Sequence, residues 1–558
     1  LQDQRSAVRR EAARALGLIG DARGATSLVL ALQDKSIDVR VQALRSLGKM
    51  KATDAVSAIV ALLRTNAAAG GSVVPTAVRH AAIAALGRIG SPDAVKLLVE
   101  ELKSEGVVAY SSGGTAAPVR RALIDVGKPA GTALIAALSA APSQNHASSA
   151  VMALGSLARA GTIDSAPAVK AIITAAQRGT VALGSALQAL AEIGSNKTLS
   201  FVLEHLDHAD VRVRRMVVQV ASGLLDPDAK DGRAVDVVKP RLTDLSAPLG
   251  ERIALVRLLG RTGSPRAGKV LLTLVNAKNK ALRVAVVTAL GELGLSSPAV
   301  DEALLKAVGD TSSTTLRQAA ARALARVGSD AAATKLVHRL GVSAEQDRAA
   351  IGVAVSGAMA RATDAKLVAL VKKALATVKP HSRDALIEGL GRMRADAAGE
   401  LLAELAKGAV VDDRRKVAEA LRGHPKQQAV LLVLAKDADP TVRANAVWSL
   451  GAVGDKAALA ILEPLVGDAD VAVAGNAALG LALVSKRLGS GKTAVAPLCT
   501  ALSDFRSYVR AESLLGLRLI GAVCPNAVVR RLLSRDRSWR VRIAAAQLGP
   551  PSAATCGR

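Results

Sequence analysis

One phrase, repeated from end to end, constrains this chain more than any other feature. It reads Asp3 … Val8-Arg9 … Ala12 … Ala15-Leu16-Gly17 … Ile19-Gly20, returns as Asp34 … Val39-Arg40 … Ala43 … Leu47-Gly48, and is nearly complete again as Asp437 … Val442-Arg443 … Ala446 … Leu450-Gly451 … Val453-Gly454. Degenerate copies centre on Val78-Arg79, Val211-Arg212, Leu282-Arg283, Leu316-Arg317, Val509-Arg510 and Val541-Arg542, with weaker ones near 145–160, 180–194 and 470–483 where the arginine is missing. The anchoring arginines recur at steps of 31, 39 and 41 residues from Arg9 to Arg120, and of 31 and 34 from Arg252 to Arg317. Self-similarity at such a period marks an array of one supersecondary unit.

Each unit reads as a helix pair. Val39, Ala43, Leu44 and Leu47 share one helical face, Gly48 falls near the helix end, and a second apolar stretch, Ala55 to Leu63, follows a polar turn. Glycine suits the position just past a helix because a left-handed backbone costs it nothing. Asp or Ser before the Val-Arg pair suits a helix N-cap. A helix pair of this size cannot bury its apolar face alone, so neighbours must stack. Composition agrees: half the residues are hydrophobic, yet only 2 Phe, 2 Trp and 2 Tyr occur in 558 residues, so the core must be close-packed Ala, Leu, Val and Ile. The predicted fold is all-α, an α-solenoid of stacked antiparallel helix pairs running as one continuous array over residues 1–558, with 504–558 as a basic capping end.

The phrase resembles the HEAT repeat, in particular the short bacterial type also found in phycobilisome lyase subunits. The resemblance covers essentially the whole chain in about sixteen or seventeen units. It implies that the Asp and Arg of the phrase pair, within or between repeats, as a buried ladder. Here that ladder would comprise Asp3, Arg9, Asp34, Arg40, Arg79, Asp207, Arg212, Arg283, Asp310, Arg317, Asp437, Arg443, Asp504, Arg510, Asp536 and Arg542. Arginine is apt because its planar fork satisfies a carboxylate and helix-end carbonyls together. The net charge of +27 therefore overstates the basic surface open to a partner.

Leu1-Gln2-Asp3 matches Leu32-Gln33-Asp34, so the array is expected to begin mid-pattern. The period is expanded at Asn66 to Thr76, Gly106 to Ala117 and Asp226 to Pro240, the last expected within a unit. Tyr110 is a rare aromatic in the second expansion and a candidate contact.

No catalytic constellation, metal site or cofactor site is expected. Lys486 to Thr493 ends in the Gly-Lys-Thr of a phosphate loop, but Lys486 stands where the loop needs glycine and a helical stretch precedes it, so it reads as a turn between helices. His205 and His208 have a His-x-x-His spacing, yet the segment falls between two units and reads as a solvated helix end. The other histidines, His80, His146, His338, His381 and His424, lack a following Glu, so the His-Glu pairs of di-iron HEAT-repeat hydroxylases are absent. Cys499, Cys524 and Cys556 contain no CxxC pair; reduced thiols are the default, with a Cys524–Cys556 disulfide as the alternative. Trp448 lies inside the Val442 to Leu450 phrase and is expected to be buried.

Two features point outward. Nine arginines lie against three acidic residues between Asp504 and Arg542, together with Phe505, Tyr508 and Trp539, a combination that suits either a polyanion or a terminal cap. Basic residues outside the ladder, Arg214, Arg215, Arg414, Arg415, Lys416, Arg530, Arg531 and Arg537, are candidate partner contacts alongside Tyr110 and Trp539. The expected function is a non-enzymatic scaffold or adaptor that binds a protein or extended peptide along a concave ladder of second helices. The alternatives are nucleic-acid or other polyanion binding, and a lyase or chaperone subunit as in the phycobilisome relatives. No stretch approaches the length of a membrane span.

Overall fold

The structure, a computed structural model, describes residues 1–64, 74–102, 116–141, 143–244, 246–342 and 345–548. They form 33 α-helices, with short 3-10 turns and no strand among the described residues. The chain divides into two compact units, Leu1–Thr262 and Gly263–Arg558.

In each unit the helices carrying the phrase, here called first helices, stack on one another in a row. In the first unit the row runs from Ser6–Ile19 and Ile37–Lys49 to Leu249–Gly260; in the second it runs from Lys280–Glu292 to Ser507–Ile520 and Trp539–Gln547. The intervening second helices, such as Pro92–Glu101 and Lys128–Ser139 in one unit or Pro298–Val308 and Asp330–Val342 in the other, form the opposite layer. The core lies between the layers and is aliphatic: Val39, Ala43, Leu44 and Leu47 are fully buried against the second helices, with Ile59 and Leu28.

The two glycines of the phrase do different work, which corrects the reading of Gly48 as a helix terminator. Gly48 lies inside Ile37–Lys49, and a Cβ added to it would meet the Ala85 backbone of the next first helix at 3.0 Å. Gly451 likewise sits where an added Cβ would stand 3.0 Å from the Gly480 backbone. These glycines let successive first helices touch backbone to backbone. The left-handed turn falls to the later glycine, as at Gly20 with φ 74°.

The expansion from Asp226 to Pro240 contains a 3-10 turn, Pro227–Ala229, and the start of a second helix, Arg233–Thr243. The other two expansions lie almost entirely outside the described residues, as does Tyr110.

Candidate functional site

Where the arginine is present, the ladder links one repeat to the next. Arg9 grips Asp34 through two bonds, Nε at 2.7 Å and Nη2 at 2.9 Å, while its Nη1 donates to the carbonyls of Asp3 and Gln4, both at 2.8 Å. Asp34 in turn accepts from the backbone N–H of Ser36, closing the turn that starts the next first helix. One guanidinium thus ties the turn before its own helix to the turn before the following one. The same clamp recurs at Arg510 with Asp536, 2.8 Å, and its own Asp504 and Phe505 carbonyls. Arg283 pairs with Asp310 at 2.6 Å, Arg443 with Asp468 at 3.1 Å, Arg317 with Asp347 at 3.0 Å, Arg79 with Glu101 at 2.6 Å, and Arg383 with Asp413.

The guanidiniums set the acidity of their partners. Arg9 holds the Asp34 carboxyl below its ordinary range, as Arg414 does for Asp437. The Ser312 hydroxyl and Arg283 bring Asp310 down to about 2.

Several assignments change. Arg212 pairs with Asp210 of its own turn and is exposed; Arg214 is the clamp there, bonding Glu251 at 3.0 Å and the His208 and Ala209 carbonyls at 2.9 Å. Arg414 is also a clamp, on Asp437 at 2.7 Å, so neither Arg214 nor Arg414 is open to a partner. Asp207 pairs with Arg241, Asp3 with Arg5 and Asp504 with Arg506. Arg542 reaches the Asp536 carbonyl at 2.7 Å. The Arg40 Nε is buried without a hydrogen bond among the described residues, and the position matching Asp34 in its register, Thr65, lies outside them.

With the clamps accounted for, a second register appears. Five residues past each clamp, on the third turn of the first helix, the side chain is exposed: Arg14, Arg45, Glu388, Glu419, Leu515 and, contrary to expectation, Trp448. Trp448 is 42% exposed, and the Arg422 guanidinium lies over its ring, 4.2 Å from the centroid. Both border a cavity of about 560 Å³ on the first-helix row, lined also by Glu388, Gly391, Arg392, Lys416, Glu419, Ala420 and Gly423. Arg392 pairs with Glu388, and Lys416 with Glu419 at 3.6 Å. Arg415 pairs with Asp412, and Arg215 is exposed.

At the C-terminal end, Arg530, Arg531, Arg535, Arg537 and Arg540 are exposed, and none has a carboxylate partner among the described residues. Phe505 and Trp539 are exposed beside them, each with the following arginine near its ring. Cys524 forms a disulfide with Cys499, which overturns both the reduced default and the Cys524–Cys556 alternative; the true partner sits on the second helix Gly491–Ala501 of the preceding unit.

His208 Nδ1 accepts from the Asp210 N–H while the His205 ring packs edge-on against Phe201. No cluster of metal-ligating residues occurs among the described residues, and no helix among them is long and apolar enough to cross a membrane. Ser490 precedes the helix Gly491–Ala501, and the stretch before it is the end of helix Val471–Arg487, so the Gly-Lys-Thr sequence sits at a helix junction.

Stacked helix pairs joined by an inter-unit arginine clamp define an α-helical repeat protein of solenoid type. HEAT repeats are detected within this array: the HEAT-repeat family model matches residues 1–71, 235–317 and 420–482, and that of the PBS lyase HEAT-like repeat matches 78–104. Among solved structures the chain is similar to importin beta, at 13% identity over 98% of this chain and 87% of that one, with a TM-score of 0.40. It is similar to a Kap121p mutant at 11% identity over 98% and 73%, TM-score 0.43, and to Kap95p in a structure with RanGDP at 14% over 91% and 74%, TM-score 0.39. No curated protein matches the chain.

Proposed function

We propose that the protein is a non-catalytic scaffold that binds a protein or an extended peptide along the exposed face of its first-helix row. The observation that carries this reading is the run of exposed apolar side chains on three successive first helices of the second unit, Trp448 on Pro440–Val453, Leu483 on Val471–Arg487 and Leu515 on Ser507–Ile520. Most arginines of the phrase are held in structural bonds, so recognition falls to the positions that vary between units. A helical array that presents such positions at regular spacing suits an extended ligand. The test is affinity capture from lysate with the full chain and with a Leu483→Glu, Leu515→Glu double variant. A partner held by the full chain and lost from the variant supports the scaffold; a partner held equally by both, or none retained, speaks against it.

A second reading, binding of nucleic acid or another polyanion, is favoured by the five C-terminal arginines that have no carboxylate partner among the described residues. Such binding would weaken steeply and linearly in log salt. A salt titration with duplex DNA, using the full chain and a variant with those five residues changed to Gln, decides it: a salt-steep affinity lost in the variant supports this reading, and no binding at low salt ends it.

A further inference from the structure

The cavity at Trp448 lies beside a first helix that ends early. In the units around Arg9, Arg40, Arg283, Arg383 and Arg443 the residue eight positions past the clamp is the close-packing glycine: Gly17, Gly48, Gly291, Gly391 and Gly451. In the unit of Arg414 that position is Arg422. The first helix Val411–Ala420 stops short there and passes into a 3-10 turn, Leu421–Gly423. Gly423 packs onto the Gly391 carbonyl of the preceding first helix, Pro380–Arg392, and the buried His424 Nε2 lies 2.9 Å from the Leu390 carbonyl, so the 3-10 turn is held against that helix. Arg422 is left outside, stacked on Trp448, in the gap between this helix and Pro440–Val453.

From this we infer that the Trp448 cavity is a docking site for an acidic, apolar peptide segment of a partner protein, with Arg422 receiving a carboxylate and Trp448 the neighbouring apolar side chain. The inference rests on the scaffold reading. Its argument is charge complementarity. Three cations and two carboxylates line the cavity; Arg392 is paired with Glu388 and Lys416 with Glu419, which leaves Arg422 with no carboxylate partner among the described residues. An arginine stacked on an aromatic face keeps its N–H edge free, and that edge suits bidentate binding of a carboxylate. A tryptophan exposed in a recess is the residue type that most often anchors an interface. A polyphosphate fits less well: Glu388 and Glu419 on the rim repel it, and one face of the Trp448 ring is already covered by Arg422.

The test uses the full chain in a Trp539→Phe background, so that Trp448 is the sole tryptophan, and titrates short labelled peptides of alternating glutamate and leucine, lysine and leucine, or serine and leucine. The acidic peptide is expected to change the Trp448 emission and to bind best, and Arg422→Gly, which introduces the glycine found in the Arg383 and Arg443 units on either side, to weaken it about tenfold, as loss of a central contact does. Trp448→Ala, followed by peptide anisotropy, should weaken it similarly, with helix content by circular dichroism unchanged in both variants. Equal binding of the acidic and serine peptides, or undiminished binding by Arg422→Gly, overturns the proposal. So does an oligothymidylate that outcompetes the acidic peptide. Partner capture that survives Arg422→Gly but fails in the Leu483→Glu, Leu515→Glu variant would overturn the cavity's role while leaving the scaffold standing.

Discussion

Arg506 donates to the carbonyl of Asp468 at 2.7 Å, the bond that a clamp arginine would make from within that unit if the unit had one. The phrase around Asp468 carries Ala474 where Arg443 stands in the unit before, and Arg443 bonds the matching Asp437 carbonyl at 2.9 Å. The missing guanidinium is supplied from the next turn, where Asp504 holds Arg506 at 2.7 Å. Arg506→Ala should therefore leave the Asp468 and Ala469 carbonyls short of a donor and destabilise this junction by about 1–3 kcal/mol. Hydrogen exchange should quicken in helix Val471–Arg487 and stay unchanged in the first unit; uniform protection would count against the assignment.

Asp468→Ala tests the clamp itself. It removes the carboxylate from Arg443, whose side chain is mostly buried, and leaves a charge with only backbone partners. Breaking such a pair costs on the order of 3 kcal/mol. In a stacked array the loss should appear as early melting of the units around Asp468, read by proteolysis at sub-denaturing urea. Replacing Arg443 and Asp468 together by Met and Leu should cost less than the single change.

The close-packing glycines give a steric prediction. Gly451→Val would drive a side chain into the Gly480 backbone and should cost about 1–3 kcal/mol through strain. Gly20→Ala, in an open left-handed turn with nothing near the added Cβ, should cost about 1 kcal/mol, from backbone conformation alone. Urea midpoints of the two variants should rank in that order.

Acid should loosen the clamps in a defined window. Asp310 is lowered to about 2 from an ordinary value of 3.8, so the unfolded chain binds more protons between those values and stability falls as pH drops from about 4 to about 2. Above that window the contribution is complete and flat. Asp310→Asn should be less stable than the parent at pH 6 and should lose less on acidification, measured by circular dichroism melts at each pH.

The Cys499–Cys524 disulfide ties two successive units across a separation of 25 residues. Closing such a loop is worth about 3 kcal/mol of unfolded-state entropy. Reduction, or Cys499→Ser, should lower the unfolding midpoint of the C-terminal units, and the unreduced protein should alkylate at one cysteine of three. Alkylation at three without reductant would refute the pairing.

The repeated phrase determined the helix pairs, their stacking and the aliphatic core, because the apolar positions of each helix recur at helical spacing and no single pair can bury them. The exposure of Trp448 was legible too, had the register been followed: it falls five past Arg443, where Arg14, Arg45, Glu388 and Glu419 are hydrophilic, whereas proximity to Val442 and Leu450 suggested burial. What only the tertiary structure decided was partnership. Sequence cannot say that Arg214 rather than Arg212 is the clamp, that Arg506 replaces an absent arginine, or that Cys524 meets Cys499, since these depend on which side chains of neighbouring units face each other across a turn. The cavity beside Arg422 belongs to the same class. The first helix Val411–Ala420 ends early and leaves Arg422 outside, and only the packing of three successive helices turns that local change into a recess.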